Sequence, residues 1–187
     1  MTTANYLRAE PKFAGSFMND IFDEMGLGRP INGFDVDGQL TVLMIGDKIG
    51  GAAYAAAASS VAETLSVNGR ELHQALVAGS SLQALVAVGV REEYRGRGYG
   101  TELLHSIFGH ARRDLDADYV LAHIDVRNHR LRRWFRDLGF TICTTDETLK
   151  VDGVLIPGRE GFLDSWYGLN ENPRVRLTRS RGREVKN

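Results

Sequence analysis

The sequence is poor in cysteine and lacks long apolar runs. Cys143 is the only cysteine, which excludes an intrachain disulfide and a zinc cluster built on several cysteines. No apolar run approaches the roughly 18 residues of a membrane-spanning helix. Residues 1–8 lack the basic and apolar regions of a secretory signal. We therefore expect a cytoplasmic protein that is neither exported nor embedded in a membrane.

The sequence also lacks an excess of charge of one sign. Its 187 residues include 23 basic and 24 acidic side chains, which gives a net charge of -1 and argues against nucleic acid or an anionic membrane as a partner. The exception is the segment 170–187, which has six basic residues against two acidic ones. We interpret it as a flexible, solvated tail, where a contact with nucleic acid stays open.

Apolar residues make up 43% of the chain, which is typical of a globular protein, and no repeat or linker divides it. We predict one domain over residues 1–169, followed by the tail 170–187. Apolar periodicity and turn signals predict strands at 4–9, 40–45, 49–58, 82–90, 119–126, 140–145 and 162–169. They predict a helix of about 12 residues that includes 17–25, and further helices from Asn68 to about Ala78, over 101–115 and from Asn128 to Leu138. The stretches 59–81 and 152–161 are the hardest to interpret.

A glycine-rich turn lies between the strand at 82–90 and the helix at 101–115. Its residues, Arg95–Gly100, alternate glycine with larger side chains. Such a turn lets backbone N–H groups converge on an anion at a helix N-terminus, where unpaired amides favour negative charge. The pattern predicts a pyrophosphate site, with an ordinary tight turn as the alternative. A GxGxxG dinucleotide motif is excluded because Thr101 occupies the position of its last glycine.

A second motif follows, in which Asn128 opens a helix that ends at Gly139-Phe140. Together the two motifs resemble those of the GNAT superfamily of acyl-CoA-dependent N-acyltransferases. Arg95, Gly98 and Gly100 occupy the positions of its RxxGxG loop. The resemblance covers residues 82–140, about a third of the chain. It implies an α/β fold in which helices flank a central, mostly antiparallel mixed sheet with splayed strands.

The resemblance also implies a reaction and a set of ligand contacts. We expect transfer of an acetyl group from acetyl-CoA to a primary amine, by direct attack in a ternary complex. Separately, the histidines lack the spacing of metal ligands, so we predict no metal. The backbone amide of Val90 is the expected oxyanion donor. The residues expected to bind the cofactor are Val88, Val90, Arg95, Gly96, Arg97, Gly98, Tyr99, Gly100, Thr101, Asn128 and Phe135.

The general base is harder to assign. The family often has a glutamate on the strand before the loop, where this chain offers only Gln83 as a polar side chain. His123 and Asp125 are two residues apart on the next strand and therefore project from one face. Both are candidate catalytic residues, and histidine has the pKa better matched to neutral pH. The alternative is a polar pair without a catalytic role.

The general acid departs from the family pattern. Phe135 stands where the family has a tyrosine that protonates the leaving thiolate, so Tyr94, Tyr99 or water is left as a substitute. Cys143 has no basic neighbour in sequence and is a poor covalent nucleophile. The alternative function is a CoA-binding module without turnover, with a regulatory or interaction role and possible contact with nucleic acid through the tail. The class of amine acceptor and the choice between monomer and homodimer stay open.

Overall fold

A computed structural model describes residues 4–9, 23, 38–68 and 72–181. The strands are β1 (Ala4–Ala9), β2 (Gln39–Ile45), β3 (Lys48–Ala57), β4 (Leu82–Val90), β5 (Tyr119–Asp125), β6 (Thr141–Ile142), β7 (Glu147–Val151), β8 (Val154–Leu155), β9 (Phe162–Gly168) and β10 (Leu177–Arg181). The helices of eight or more residues are α1 (Ser59–Val67), α2 (Leu72–Ser81), α3 (Tyr99–Arg113) and α4 (His129–Asp137). The described residues divide into two compact units. One contains those up to 57 together with 84–114, and the other contains 58–83 and those from 115 onward.

The first unit is built on the strand order β1-β2-β3-β4. β1, β2 and β3 pair antiparallel, and Gly46 supplies the positive φ of 65° in the turn between β2 and β3. Leu40 lies opposite Tyr54 and Val42 opposite Ala52, so alternate side chains form a buried apolar cluster. The alanine-rich β3 is weak strand material by propensity, but its small side chains are buried here.

Helix α3 packs on β2 and β3 through an apolar stripe. Leu103, Leu104 and Ile107 are fully buried, as their spacing of three and four residues requires for one helix face. In the first turn of α3, the Glu102 carboxylate accepts a hydrogen bond from the Tyr6 hydroxyl of β1. Burial and the Glu102 charge raise the pKa of Tyr6, so this hydroxyl stays protonated. The contact fixes the N-terminal turn of α3 to the edge of the sheet.

The second unit contains the strand order β5-β9-β6 and a smaller sheet, β10-β7-β8. β5 and β6 both pair antiparallel with β9. Helix α4 is joined to this sheet by ring contacts. Phe135 stacks on Phe140 at 4.4 Å between ring centroids, and Phe140 meets Tyr167 in a tilted contact at 5.5 Å. Gly139, with φ of 93°, ends the helix in the left-handed conformation that favours glycine.

The prediction of a mixed α/β fold, with a mostly antiparallel sheet flanked by helices, is confirmed. The hairpin of β2 and β3 and the strands β1, β4, β5 and β9 lie where the sequence predicts them, within one or two residues. The predicted helix over 17–25 lies outside the described residues, except for Asp23, which is helical. No helix among the described residues is long and apolar enough to cross a membrane.

The predictions fail within 59–81 and around 147–155. The structure contains a helix, α1, which the sequence analysis did not predict, and Asn68 ends it by donating from Nδ2 to the Thr64 carbonyl at 2.8 Å. We had predicted Asn68 as the first residue of the following helix, which instead begins at Leu72 in the described residues. β7 and β8 were also missed, because two short strands around a turn resemble an irregular loop in sequence.

The segment from Asn170 is not a solvated tail as far as Arg181. β10 pairs antiparallel with β7, and its Arg179 contacts Glu147 at 3.4 Å. The Arg174 side chain donates to Asp118, which is 2% exposed, at 3.1 Å. Acidic residues distant in sequence therefore pair with Arg174 and Arg179, which the composition alone predicts to be solvated. Residues beyond 181 lie outside the described part of the chain.

Asp118 is the main anchor of this C-terminal segment. It accepts hydrogen bonds from Asn170 Nδ2 at 2.7 Å and from the Arg174 backbone N–H at 2.9 Å, in addition to the side-chain contact. Burial of the carboxyl raises its pKa, but these hydrogen bonds and the Arg174 charge outweigh that effect, so the pKa of Asp118 is lowered. The folded state therefore favours the ionised carboxylate.

We expect Asp118→Asn to lower the free energy of unfolding by about 2–3 kcal/mol, because hydrogen bonds to a charged group contribute about 1.5–3 kcal/mol. The carboxyl is more acidic in the folded chain than in the unfolded chain. Its stabilisation is thus present above about pH 4 and is lost as the pH falls through the lowered folded value. Urea denaturation of both proteins from pH 7 to pH 3 tests this. The two stabilities should converge toward pH 3, and a constant difference would contradict the assignment.

Candidate active site

The turn before α3 has the backbone of an anion-binding loop. Gly96 and Gly98 have φ of 75° and 86°, and a Cβ built on either would meet nothing within 4 Å. Both glycines therefore border open space, and both have a left-handed backbone conformation that is unfavourable for residues other than glycine. The sequence prediction places both Gly98 and Gly100 among the residues that contact the cofactor. Gly100 lies in the first turn of α3 and has no positive φ, and its cofactor contact stays a prediction.

Backbone donors collect at the same point. The first bonds of α3 are those from the N–H groups of Thr101 and Glu102 to the Gly98 carbonyl, at 2.9 and 3.1 Å. The N–H groups of Tyr99 and Gly100 precede them and have no acceptor inside the helix. The positive end of the helix dipole lies here as well. A diphosphate is the ligand that the sequence predicts for these groups.

The arginines of the loop differ in their contacts. Arg95 turns back and donates from Nε to the Val90 carbonyl at 2.9 Å, so it braces the end of β4. Arg97 is exposed, with its guanidinium carbon 5.9 Å from the centroid of the Tyr94 ring. Arg97 is therefore better placed than Arg95 to contact a bound phosphate. Arg95 instead stabilises the start of the loop through its hydrogen bond to Val90.

The end of β4 is held by a close approach of β3. A Cβ on Gly51 would lie 2.7 Å from the Gly89 carbonyl oxygen, which is too close for a carbon atom. Glycine fits at this position because it has no Cβ. The Arg91 N–H donates to the Gly50 carbonyl at 2.8 Å just beyond this point. Val88 and Val90, the predicted cofactor contacts on β4, are half-buried. The loop therefore begins from a strand whose course is fixed.

In the second motif, Asn128 caps α4 as predicted. Its Oδ1 accepts a hydrogen bond from the Leu131 N–H at 2.9 Å. Phe135, at the position of the family's tyrosine, is 2% exposed and lies 5.4 Å from Trp134 between ring centroids, in addition to its stack on Phe140. It is a core side chain. Its predicted contact with the cofactor stays a prediction.

Asp125, one of the two candidate bases, is already paired. The Arg127 guanidinium donates to both of its carboxylate oxygens, at 3.0 and 2.7 Å, and the Arg127 backbone N–H donates at 2.8 Å. Hydrogen bonds from Arg127 lower the pKa of Asp125 to about 2. A carboxylate this acidic is a weak proton acceptor near neutral pH.

His123 is arranged differently. The β5–β9 register sets it opposite Asp164, and its Nδ1 lies 3.0 Å from the Asp164 Oδ1. The His123 side chain is 54% exposed, whereas that of Asp164 is 9% exposed. A buried carboxylate thus holds one ring nitrogen of a half-exposed histidine, a contact that orients the ring and sets its tautomer. His123 and Asp125 share one face of the sheet, since both have their β9 partners in the same register.

Cys143 lies on the other side of Asp164. Its backbone N–H donates to the Asp164 carbonyl at 2.8 Å, and the residue is 2% exposed. Burial, followed by the charge of Asp164, raises the pKa of the thiol to about 11. The thiol is therefore protonated and inaccessible, which agrees with the prediction that Cys143 is a buried hydrophobic residue rather than a nucleophile.

A family model described as "Acetyltransferase (GNAT) family" matches residues 49–140, the stretch that contains the loop, His123 and Asn128. Residues 49–140 belong to this GNAT family of acetyltransferases. The match supports acyl-CoA-dependent acetyl transfer by this part of the chain. No protein of curated function matches it in sequence.

Solved structures with the same fold agree with the GNAT assignment. YncA from Salmonella typhimurium, solved with its cofactor acetyl-CoA, is similar with a TM-score of 0.57 at 18% identity, over 90% of this chain and 95% of that one. The ribosomal-protein-S18-alanine N-acetyltransferase of Escherichia coli gives 0.57 at 11% identity over 92% and 97%. Arabidopsis thaliana NAA60, in complex with a bisubstrate analogue, gives 0.57 at 15% identity over 94% and 98%. At these identities the likeness shows the fold alone.

This GNAT site contains a residue that the sequence did not indicate. Asp164 lies on the predicted strand at 162–169, but nothing in the sequence sets it opposite His123, because cross-strand register depends on long-range pairing. The described residues contain no group of three or more His, Cys, Asp or Glu side chains arranged to hold a metal ion.

Proposed function

We propose that this GNAT protein transfers the acetyl group of acetyl-CoA to a primary amine by direct attack, with His123 as the general base. The observation that carries the proposal is the pair of an exposed imidazole and a buried carboxylate on adjacent strands, His123 and Asp164. Asp125, the competing base, is held by Arg127. His123 therefore has a second ring nitrogen available, whereas the Asp125 carboxylate already accepts three hydrogen bonds.

The proposed proton path begins at the incoming amine. Most amines are protonated near neutral pH, so a base must remove a proton before the nitrogen can attack a thioester carbonyl. Asp164 accepts from the Nδ1–H of His123 and thereby fixes the tautomer in which Nε2 is the free acceptor. His123 Nε2 takes the amine proton, either directly or through water, and passes it to solvent because the side chain is half exposed.

The binding steps use the loop and the end of β4. Acetyl-CoA supplies the acetyl thioester, and the N–H groups of Tyr99 and Gly100, with Arg97, hold its diphosphate. The backbone N–H of Val90 is the proposed donor to the oxyanion, a role in which preorganised amides contribute strongly to catalysis. Phe135 provides no hydroxyl, so we propose that the thiolate leaves without a tyrosine acid on α4 and receives its proton from water.

Release of free CoA thiol, measured with a chromogenic thiol reagent against a panel of primary amines, tests the function. The expected result is acetyl-CoA-dependent thiol release with at least one amine, together with an acetylated product detected by mass spectrometry. Calorimetry with CoA alone is the companion measurement, since a binding module and an enzyme both bind CoA. CoA binding without amine-dependent thiol release across the panel would favour the alternative of a module without turnover.

A further inference from the structure

We infer that Arg159 forms an anion seat beside His123, and that the acceptor is an amine that also carries a carboxylate or phosphate group. The inference rests on the proposed function, since it assigns the substrate class of the same site. It is carried by a guanidinium held over the sheet face from which His123 projects, without an acidic partner among the described residues.

The first observation is the position of Arg159. Its guanidinium carbon lies 4.4 Å from the centroid of the Phe162 ring, close enough for a stacked cation–π contact. Stacking uses the flat face of the guanidinium and leaves the N–H groups along its edge free to donate. A stacked arginine therefore loses less conformational entropy when it binds an anion than a freely rotating one does, since its orientation is already restricted.

The loop that carries Arg159 is fixed at several points. The Phe162 N–H donates to the Arg159 carbonyl at 3.0 Å, which closes the turn before β9. The Val126 N–H donates to the Gly161 carbonyl at 3.0 Å and ties this turn to the end of β5. A Cβ on Gly158 would lie 3.6 Å from Asp164 Oδ2, so the loop also passes beside the carboxylate that holds His123.

The register places the two groups on one face. Phe162 lies opposite Asp125, and Asp164 lies opposite His123, so Phe162 is the diagonal neighbour of His123. Diagonal neighbours in an antiparallel pair are roughly 7–8 Å apart. An acceptor that reaches both His123 and Arg159 therefore has its amine and its anionic group separated by several bonds.

Arg159 differs from Arg127 and Arg174 in having no carboxylate partner among the described residues. Arg127, at the end of β5, is already engaged by Asp125, and Arg174 of the same unit is engaged by Asp116 and Asp118. Within the described part of the chain, no carboxylate pairs with Arg159. Carboxylate and phosphate both accept paired N–H donors from a guanidinium, so both sources fit.

The experiment compares amines that differ only in the anionic group. The pairs are γ-aminobutyrate with its amide, and phosphoethanolamine with ethanolamine, assayed with wild type, Arg159→Gln and Arg159→Lys. Arg176→Gln, at an exposed arginine outside the site, is the matched control. Wild type should prefer at least one anionic amine by about tenfold or more in kcat/KM. Arg159→Gln should lose that preference through KM with kcat little changed, and Arg159→Lys should keep part of it.

The carboxylate and phosphate pairs distinguish the two sources of the anion. Equal rates for anionic and neutral amines, a preference for neutral or cationic acceptors, or an equal loss for all amines in Arg159→Gln would overturn the inference while leaving the acetyltransferase assignment in place. Absence of turnover with every amine would overturn the proposed function instead. In that case, calorimetry with N-acetyl-γ-aminobutyrate and O-phospho-N-acetylethanolamine still tests the seat. Binding that Arg159→Gln weakens would support it, and no binding of either compound would overturn it.

Discussion

Gly98→Asp should raise the KM for acetyl-CoA by about 100-fold or more. Gly98 has φ of 86°, and an L-residue in the left-handed region costs about 1–2 kcal/mol. The new carboxylate would also project into the open space that the loop offers to a diphosphate, where like charges repel. A loss of about 2.7 kcal/mol in binding corresponds to 100-fold in affinity. Steady-state kinetics and CoA calorimetry measure the effect.

Gly153→Asp is the matched control for backbone strain. Gly153 has φ of 83°, and its Cβ would also meet nothing within 4 Å, but it lies in the turn between β7 and β8. Both variants should lose a similar amount of thermal stability, whereas only Gly98→Asp should lose CoA affinity. Equal CoA affinity for wild type and Gly98→Asp would show that the loop is not part of the CoA-binding site.

His123→Gln should lower kcat by about 100- to 1,000-fold, the range typical of a lost general base. CoA affinity should not change, because glutamine keeps a polar side chain of similar size on β5. The deficit should shrink at high pH, where a growing fraction of the amine is already unprotonated. Initial rates from pH 6 to pH 10 at saturating acetyl-CoA measure both effects.

Two further substitutions separate His123 from its neighbours. Asp125→Asn should retain kcat within a few-fold, because its carboxylate is occupied by Arg127 and has a pKa of about 2. Asp164→Asn should lower kcat by less than His123→Gln does, since asparagine can still orient the ring without its charge. A larger loss in Asp125→Asn than in His123→Gln would transfer the base role to Asp125.

The loop and the cap could be predicted from sequence because both depend on local geometry. The glycines at 96 and 98 and the start of α3 follow from a few consecutive residues, and Asn128 bonds to an N–H three residues ahead.

The parts that could not be predicted depend on partners far away in the chain. Asp164 meets His123 through strand pairing across 41 residues, and Arg174 reaches Asp118 across 56. Composition near Arg174 indicated only a basic, solvated segment. Helix α1 was missed for a different reason, since its alanine and serine residues form no marked apolar stripe for periodicity to detect.

Because Cys143 is buried, the reactivity of its thiol reports local opening of the structure. Its only thiol reacts with an alkylating reagent when the packing around β9 is transiently broken, because the folded environment hides it and keeps it protonated. Alkylation rates followed by mass shift thus report how often this region opens in each variant, without any attached label. The same shielding keeps the background low when liberated CoA is titrated with thiol reagents.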